Sequence, residues 1–351
     1  MKALKRLRFL ALTAISGAVL TLGPASPAQS VSSEEAGFQG YLQLLSARAR
    51  AEGVSEATIR QMTQGLTFNP RVIQLDRGQP GGLPSATSTA PPAFEPYRRQ
   101  HVDAARINGG RAAYARAAGI IPRIESQYGV PGQILTAIWG HETNYGSYKG
   151  NFDLSRSLAT LAYEGRRRDL FADEWVALLK IADQGVPRDQ LVGSWAGAFG
   201  NPQFLPSMYL RLARDGDGDG RRDIMNSTAD TLASIANYFR DAGWRRGVPW
   251  GVAARLPANF DRSGIESRLV SPVCPRVHAR LSAWKTMAEW RALGVSPQGY
   301  IANDVLASVL EPDGPGKTAY LLTGNYRVIL EYNCSNYYAL SVGLLADEIA
   351  R

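Results

Sequence analysis

The chain has 351 residues, of which 45% are hydrophobic and 20% charged, so it can bury a substantial core in one large or two moderate domains. Its formal net charge is +8, and no basic run is interleaved with stacking aromatic residues, which argues against a nucleic-acid-binding protein.

Residues 1–28 have the pattern of a secretory signal peptide. The basic start MKALKRLR is followed by the apolar run FLALTAISGAVLTLG and the small residues PASPA, which places the mature start near Gln29. The apolar run is too short to favour a membrane span, and no cysteine follows it at the cleavage site. We therefore expect an exported chain without stable membrane insertion, whose net charge falls from +8 by the four bases of the leader, to +4.

Residues 29–100 are predicted to form an N-terminal helical segment that ends in a flexible linker. In FQGYLQLLSARARAEGVSEATIRQM, apolar residues recur at three- and four-residue steps, which favours two amphipathic helices between Glu34 and about Gly65, with Ser55 as an N-cap. Residues 77–93, RGQPGGLPSATSTAPPA, are rich in Pro, Gly, Ser and Thr and predict a flexible connection.

The rest of the chain divides into residues 101–247 and 248–351. The first part has helical periodicity, with amphipathic helices over 167–183 and 230–242, the second of which stops at Gly243. In the second part, AYLLTGNYRVILEYN favours short strands around a turn, and YYALSVGLLADEIA favours a closing helix. The expected fold class is mainly α (α+β), with a small antiparallel β element near the C-terminal end.

Two cysteines, Cys274 and Cys334, lie in the part of the chain that is expected to be exported. An even count in an oxidising compartment favours a disulfide between them, which would stabilise the fold by roughly 4 kcal/mol in chain-entropy terms. The alternative is two separate buried thiols.

The stretch IWGHETNYG, residues 138–146, contains the candidate catalytic acid, Glu142. Pro131 suits the first turn of a helix on which Ile134, Leu135 and Ile138 share a face with Glu142. A carboxylic acid at the end of an apolar stripe is poorly solvated, which raises its pKa towards the value that a general acid needs. The alternative is an ordinary solvated glutamate near a helix end.

A zinc site at this stretch is rejected. HETNY lacks the second histidine of HExxH, and the histidines of the chain, His101, His141 and His278, are far apart in sequence. We interpret His141 as a packing residue beside the acid, whose ring can bias Glu142 electrostatically.

A second motif, GSWAGAFGNPQFLPS at residues 193–207, has too many small residues and prolines for a plain helix. Its glycines allow close-packed backbone, and side chains such as Ser194 and Gln203 offer neutral hydrogen-bonding groups, which suit the hydroxyls and acetamides of a sugar polymer. The alternative is a tightly packed turn between helices.

Together these motifs resemble the MltB-type lytic murein transglycosylases, a family of bacterial enzymes that cleave peptidoglycan. The matching runs span about residues 36–350 and are, in chain order, AIWGHETNYG, SLATLAYEGRR, GSWAGAFGNPQFLPS, DGDGDGRRDIMNS, DTLASIANYFRDAGW and YRVILEYNCSNYYALSVGLLAD. The resemblance implies a lysozyme-like catalytic core at residues 101–247, elaborated by extra helical segments and the small β element. It also implies a periplasmic location.

The resemblance assigns roles to individual residues. Glu142 falls on the single catalytic glutamate of the family. The positions that contact sugar or peptide are Ser194, Gln203, Tyr238, Tyr332, Asn333 and Tyr338. The chain departs from the family pattern at His141, where an aliphatic residue is usual, and at Phe199 and Leu205, where methionines are common.

The chemistry implied by the resemblance is lytic transglycosylation. Glu142 acts as acid and then as base at the β-1,4 bond between N-acetylmuramic acid and N-acetylglucosamine, and the C6 hydroxyl of the muramic sugar closes on C1 to form a 1,6-anhydromuropeptide. One carboxylate suffices because the nucleophile belongs to the substrate. The alternatives are a hydrolytic muramidase, which needs a second carboxylate, and a non-catalytic peptidoglycan-binding protein.

No cofactor is expected for this chemistry, and the expected partner is the peptidoglycan glycan strand. We expect a monomer, with the cell-wall synthesis machinery as a candidate partner.

The stretch DGDGDGRRD, residues 215–223, predicts a structural calcium site. Asp215, Asp217 and Asp219 alternate as in the start of an EF-hand loop, and such carboxylates repel one another without a cation. Asn226 stands where the twelfth-position glutamate is usual, and the resemblance implies instead that Asp230 closes a longer loop to which Arg221 gives its backbone carbonyl. The alternative is a solvated acidic turn.

Overall fold

The computed structural model describes residues 33–78, 93–268 and 270–351. The predicted signal peptide, residues 1–28, and nearly all of the predicted linker 77–93 lie outside the described residues. Within the described ranges, no helix combines the length and the apolar character needed to cross a membrane.

Helices make up most of the described chain, which confirms the mainly α fold class. In chain order they are α1 (Ser33–Ala51), α2 (Glu56–Thr63), α3 (Pro70–Arg77), α4 (Phe94–His101), α5 (Ala104–Arg116), α6 (Ile121–Tyr128), α7 (Gly132–Thr143), α8 (Leu154–Glu164), α9 (Arg168–Asp183), α10 (Pro206–Leu212), α11 (Thr228–Asp241), α12 (Pro275–His278), α13 (Met287–Ala292), α14 (Gly324–Asn333) and α15 (Asn336–Ile349).

The strands form two antiparallel sheets. In chain order they are β1 (Phe152–Asp153), β2 (Val192–Gly193), β3 (Gly251–Arg255), β4 (Lys285–Thr286), β5 (Ser296–Pro297), β6 (Leu306–Leu310) and β7 (Ala319–Thr323). Strands β1 and β2 pair with each other, and the remaining strands form one sheet in the order β4-β6-β7-β3-β5. This second sheet confirms the small antiparallel β element that was expected within residues 248–351.

The helices predicted from periodicity are confirmed. The N-terminal pair is α1 and α2, and the Ser55 side chain caps α2 by accepting the N–H of Thr58. The segments 167–183 and 230–242 correspond to α9 and α11, and Gly243 follows α11 with a left-handed φ of +92°.

The prediction of strands on both sides of a turn in AYLLTGNYRVILEYN is wrong in its second half. Ala319–Thr323 is the strand β7, but the chain then enters the helix α14. Thr323 caps this helix by accepting the N–H of Asn325, and the buried side chains of Tyr326, Ile329 and Leu330 have helical spacing. Because the segment is rich in β-branched and aromatic residues, it has a strand-like composition, and burial on one helix face overrides that propensity.

Buried apolar side chains form two clusters. The larger cluster extends from Phe38 in α1 through Trp175 in α9 to Leu340 in α15, so both ends of the described chain pack on the central helices. The smaller cluster surrounds Trp290 and Leu321 at the second sheet. The domain boundaries proposed from the sequence stay a prediction.

Cys274 and Cys334 are joined by a disulfide, with their Cα atoms 5.3 Å apart. Cys274 immediately precedes α12, and Cys334 immediately follows α14. The bridge therefore holds the end of α14, and with it the short connection to α15, against the segment that joins β3 to β4 of the second sheet.

Candidate active site

Helix α7 presents Glu142 in its last turn. The helix begins after Pro131, and Ile134, Leu135 and Ile138 on the Glu142 face are buried, so the helix is anchored by its apolar side. It ends at Asn144, whose left-handed backbone (φ 49°) stops the helix one residue after Thr143. This leaves Glu142 half-buried at the rim of the core, with the apolar stripe beneath it.

The Glu142 carboxyl is held by Tyr338 of α15. The Tyr338 hydroxyl donates a hydrogen bond of 2.5 Å to Oε1 of Glu142. Burial raises the pKa of Glu142 to about 7, although the Tyr338 hydrogen bond acts in the opposite direction. A carboxyl with this pKa is partly protonated near neutral pH, so it can donate a proton and take one back.

Two further tyrosines lie beside this pair. Tyr332 of α14 and Tyr238 of α11 meet edge to face, with ring centroids 4.7 Å apart. The Tyr332 hydroxyl donates to the carbonyl of Pro202 at 2.6 Å, which joins α14 to the second motif. Burial raises the pKa of Tyr238 to about 12 and that of Tyr332 well above its usual value, and the nearby Glu142 raises the latter further. Both hydroxyls are therefore neutral at physiological pH.

The second motif forms a compact loop. The Ser194 Oγ accepts the N–H of Ala198 at 3.0 Å, so this hydroxyl braces its own turn. Gln203 has a left-handed backbone (φ 51°), and its Nε2 donates to the carbonyls of Gly200 at 2.9 Å and Lys149 at 3.3 Å. The alternative expected from the sequence, a tightly packed turn between helices, describes this loop well and does not conflict with a role in binding.

The two motifs are in direct contact. The Thr143 hydroxyl, next to Glu142, donates to the carbonyl of Asn201 at 3.2 Å. Gly150 faces Gly193 so closely that a Cβ at residue 150 would lie 2.2 Å from the carbonyl of Gly193. The segment that leaves α7 therefore lies directly on the loop that carries Ser194 and Gln203.

The predicted substrate-binding residues are only partly gathered around Glu142. Tyr338 contacts it, Tyr332 lies near enough for the Glu142 charge to raise its pKa, and Tyr238 packs on Tyr332. Ser194 and Gln203 lie in the adjoining loop. Asn333 is exposed at the last residue of α14. Sequence reasoning missed Tyr97, whose pKa is raised mainly by burial and in part by the Glu142 charge. The signal for it was weak, because Tyr97 follows the predicted linker and belongs to no quoted motif.

No carboxylate among the described residues contributes to the pKa of Glu142, which responds to burial and to Tyr338. Asp153 makes an ion pair of 2.7 Å with Arg188, and Asp173 pairs with Arg48. Both acids are therefore engaged by arginines at other places in the fold.

The acidic loop gathers three carboxylates. Oxygens of Asp215, Asp217 and Asp230 lie within 4.8 Å of one another, with Asp230 buried at the start of α11 and the other two exposed. Burial raises the pKa of Asp230, and the charges of Asp217 and Asp215 raise it further. Asp219 lies outside this cluster and accepts the N–H of Arg221 at 2.7 Å. The donor set is all oxygen, which fits calcium.

A cavity of about 930 Å³ lies apart from this site, against β3 and the β6–β7 turn, and Glu142 does not line it. The site is therefore located by its chemistry: a carboxyl with a raised pKa, a tyrosine donor and a loop of neutral polar side chains.

Known proteins are similar to this chain in sequence and in architecture. The family model described as a transglycosylase SLT domain matches residues 37–347. The membrane-bound lytic murein transglycosylase B of Escherichia coli K12 is 30% identical over 273 residues, which cover 75% of this chain and 71% of that protein. SltB3 from Pseudomonas aeruginosa, solved in complex with NAG-anhNAM-pentapeptide, has a TM-score of 0.79 at 38% identity, over 89% of this chain and 79% of that one. The Escherichia coli lytic transglycosylase Slt35, solved in complex with calcium, has a TM-score of 0.71 at 26% identity, over 90% and 93% of the two chains.

Proposed function

The chain belongs to the transglycosylase SLT domain family, and on that premise we propose that it cleaves the β-1,4 bond between N-acetylmuramic acid and N-acetylglucosamine to form 1,6-anhydromuropeptides. The family resemblance and the enzyme class predicted from the motifs, a peptidoglycan lytic transglycosylase, are confirmed by this membership. The observation that carries the finer proposal is the half-buried Glu142 carboxyl, with a pKa of about 7 and no carboxylate partner in the described chain.

In the first step Glu142 acts as the general acid. Its protonated carboxyl donates to the glycosidic oxygen while the bond to the muramic C1 breaks and positive charge develops on the sugar. As the proton leaves, the carboxylate that forms is stabilised by the Tyr338 hydroxyl, which already donates to Oε1. Tyr338 thus assists the transfer by stabilising its product more than its starting state.

In the second step the same carboxylate acts as the base. It removes the proton from the C6 hydroxyl of the muramic sugar, whose oxygen then bonds to C1 and closes the 1,6-anhydro ring. The nucleophile is part of the substrate, so its effective concentration at C1 is high and no water has to be positioned. Glu142 returns to its protonated form, and the proton balance of the cycle is closed.

A hydrolytic muramidase is the second candidate. It needs a further carboxylate to activate water or to bond to C1. The pKa of Glu142 shows no influence of another carboxylate in the described residues, and Asp153 and Asp173 are paired with arginines. These contacts favour the transglycosylase, and so does the anhydro ligand in the complex of SltB3 from Pseudomonas aeruginosa.

The predicted binding residues suit the neutral hydroxyl and acetamide groups of a glycan. Tyr238 and Tyr332 are neutral at physiological pH, and their raised pKa values keep them neutral at higher pH, so they offer hydroxyl groups and ring faces to sugar rings. Ser194 and Gln203 add neutral donors and acceptors next to them. Asn333, exposed at the end of α14, is proposed to contact sugar or peptide further from Glu142.

The acidic loop is proposed to hold a structural calcium ion. Asp215, Asp217 and Asp230 would supply carboxylate oxygens, and Asp219 and the Arg221 carbonyl would complete the set from the same turn. The ion would neutralise the repulsion that now raises the pKa of Asp230 and would fix the start of α11, which carries Tyr238. It takes no part in bond cleavage.

The cellular setting is also proposed. Export through the predicted signal peptide would place the protein in the periplasm, where glycan strands are available, as a soluble monomer. Contacts with the cell-wall synthesis machinery remain candidate interactions.

The test of the proposal compares the wild-type protein with Glu142→Gln on purified sacculi, with soluble products identified by mass spectrometry. We expect the wild type to release muropeptides that are one water lighter than hydrolytic products. We expect the variant to release them about 10²- to 10⁴-fold more slowly. The matched control is Glu125→Gln. Its carboxyl accepts the N–H of Gly132 at the opposite end of α7 and takes no part in the proposed chemistry.

Each alternative has its own outcome in this experiment. Products at the hydrated mass would make the protein a muramidase. If the wild type and Glu142→Gln both bind sacculi but release nothing, the protein is a binding module.

A further inference from the structure

Behind Glu142, four aromatic rings form a continuous column, of which the mechanism above uses only Tyr338. Tyr97 and His101 stack with centroids 3.8 Å apart and planes 9° from parallel. His101 and His141 follow at 6.1 Å and 20°, and His141 and Tyr338 at 5.4 Å and 54°. We call these four residues the ring column. It ends at the Tyr338 hydroxyl, which donates to Glu142.

The ring column joins three helices that are far apart in sequence. Tyr97 and His101 belong to α4, His141 to α7 and Tyr338 to α15. Helix α15 packs on both α7 and α4, so the column follows an existing interface. The rings therefore link α4 by contact to the tyrosine that holds the Glu142 carboxyl.

Ser341 supports the column from α15. Its hydroxyl donates to the Tyr338 carbonyl at 2.8 Å, one turn earlier in the helix. Its backbone lies close enough to His141 to raise the pKa of that ring, and its side chain lies close enough to Tyr97 to lower the pKa of the phenol. One residue thus touches three of the four column members, which limits how far any ring can shift without disturbing the others.

His141 is held in the column chiefly by packing. Its Nε2 atom is buried and has no hydrogen-bond partner among the described residues. Burial, with smaller contributions from the charges of Arg106 and His101, lowers the pKa of His141 to about 3. The ring is therefore neutral at physiological pH and does not draw the Glu142 carboxyl towards its ionised form.

The groups that face Glu142 and His141 from the surrounding helices are few. Some titratable groups change the pKa of Glu142 or His141, and others have a pKa that Glu142 changes. Together they are Tyr97 and His101 of α4, Arg106 of α5, Tyr332 of α14 and Tyr338 of α15. Arg106 donates to the carbonyl of Gly140, at the base of the last turn of α7. Within the described chain, the Tyr338 hydroxyl is thus the direct polar contact of the Glu142 carboxyl.

We propose that His141 is a positioning residue, which acts through the ring column to hold the Tyr338 hydroxyl against the Glu142 carboxyl. A short hydrogen bond weakens steeply with distance and angle, so a tilt of the Tyr338 ring is enough to break it. His141 is the member that contacts Tyr338 directly, and its flat ring blocks that tilt. This inference rests on the proposed function for its kinetic readout, but not for its titration readout.

The experiment compares His141→Leu, which fills the space without a flat ring, with His141→Phe, which restores one. Neither replacement side chain can form a hydrogen bond, so the difference between the two variants isolates the flat ring. The Glu142 pKa is measured by carbon NMR of labelled glutamate carboxyls, assigned with Glu142→Gln, and kcat and KM are measured on soluble glycan chains. Each change is repeated in the Tyr338→Phe background as a double-mutant cycle.

We expect His141→Leu to raise the Glu142 pKa and to lower kcat about tenfold with KM unchanged, because the hydroxyl is misplaced rather than removed. His141→Phe restores both values towards wild type. In the Tyr338→Phe background His141→Leu adds little, because the group it positions is already absent. Tyr163→Leu, which removes a ring from the aromatic cluster with Phe38 and Phe68, leaves the Glu142 pKa unchanged.

The proposal is overturned if His141→Leu leaves the Glu142 pKa and kcat at their wild-type values. It is also overturned if the effect of His141→Leu is undiminished in the Tyr338→Phe background. A wild-type protein that releases no anhydro product refutes the proposed function instead. The NMR titration still decides the role of the column in that case, since it needs no turnover.

Discussion

Tyr338 and Glu142, 196 residues apart in sequence, meet in a hydrogen bond of 2.5 Å between the tyrosine hydroxyl and the carboxyl Oε1. Burial and this bond act on the pKa of Glu142 in opposite directions. Burial has the larger effect, and the pKa lies at about 7. Burial favours the protonated carboxyl near neutral pH, and in the proposed mechanism the tyrosine stabilises the carboxylate that remains when the proton leaves.

Tyr338→Phe tests the second effect. We expect the Glu142 pKa to rise, so the alkaline limb of the pH–activity profile moves to higher pH. We also expect kcat to fall about ten- to a hundredfold, since a hydrogen bond to a charged group is worth roughly 1.5–3 kcal/mol. Tyr209→Phe is the matched control, because this buried hydroxyl donates to the carbonyl of Arg222 and lies outside the proposed site. A fall in the Glu142 pKa of Tyr338→Phe would contradict the prediction.

Glu142→Gln is expected to be more stable than the wild type at alkaline pH. The folded-state pKa of about 7 lies above the ordinary value of 4.5, so the folded state binds more protons between these values. The stability that Glu142 contributes is thus present below pH 4.5 and is lost as pH rises through about 7, by at most roughly 3 kcal/mol. Glutamine stays neutral throughout. Urea unfolding at pH 8 and pH 4.5 measures the difference in unfolding free energy between the variant and the wild type. An equal difference at both pH values would refute the prediction.

Calcium is expected to stabilise the protein through the acidic loop. Saturating calcium should raise the Tm by roughly 2–6 °C relative to a chelator, by mass action on the folded state. Asp217→Asn removes one exposed carboxylate of the cluster and should weaken this response. Asp241→Asn, an exposed acid paired with Arg211, should retain it. Calorimetry in which calcium leaves the wild-type Tm unmoved would show a solvated acidic turn instead.

Gly150→Ala is expected to lower kcat/KM by more than its backbone strain accounts for. A Cβ at residue 150 would collide with the Gly193 carbonyl and push the two motif loops apart. Gly185→Ala is the matched control, because its φ of +96° is as strained as the +89° of Gly150, but nothing lies within 4 Å of its Cβ. Both variants should lose about 1 kcal/mol of stability from strain. Equal kcat/KM for the two would mean that the loop contact is unimportant.

Cys334→Ser is expected to lower the free energy of unfolding by about 2–4 kcal/mol, because the bridge to Cys274 restricts the unfolded chain. Denaturant unfolding of the variant and of Cys274→Ser should give the same loss, since either change removes the same bond. Markedly different losses from the two variants would point to individual packing roles for the cysteines.

Much of the helical framework was predictable from the sequence. Period-3.6 patterning located α1, α2, α9, α11 and α15, and a serine before an apolar run marked the cap of α2. The family motifs predicted the lysozyme-like, mainly α fold with a small sheet, and this is confirmed. Helix α14 was mistaken for a strand, because its residues have a strand-like composition and only burial against the core selects the helix.

The prediction of Glu142 as the acid drew on the apolar stripe of α7, on the second motif and on the family resemblance, and a carboxyl at the end of such a stripe is poorly solvated wherever the helix packs. Local sequence patterns did not predict which groups surround Glu142. Tyr338 reaches Glu142 from α15, and His101 reaches His141 from α4, across chain separations that no periodicity encodes. The sequence by itself determined the helices, the stripe and the motif residues, because these depend on interactions between near neighbours. Only the packing of α4, α7 and α15 against one another decided the tyrosine contact and the ring column, because these depend on which distant surfaces are buried together.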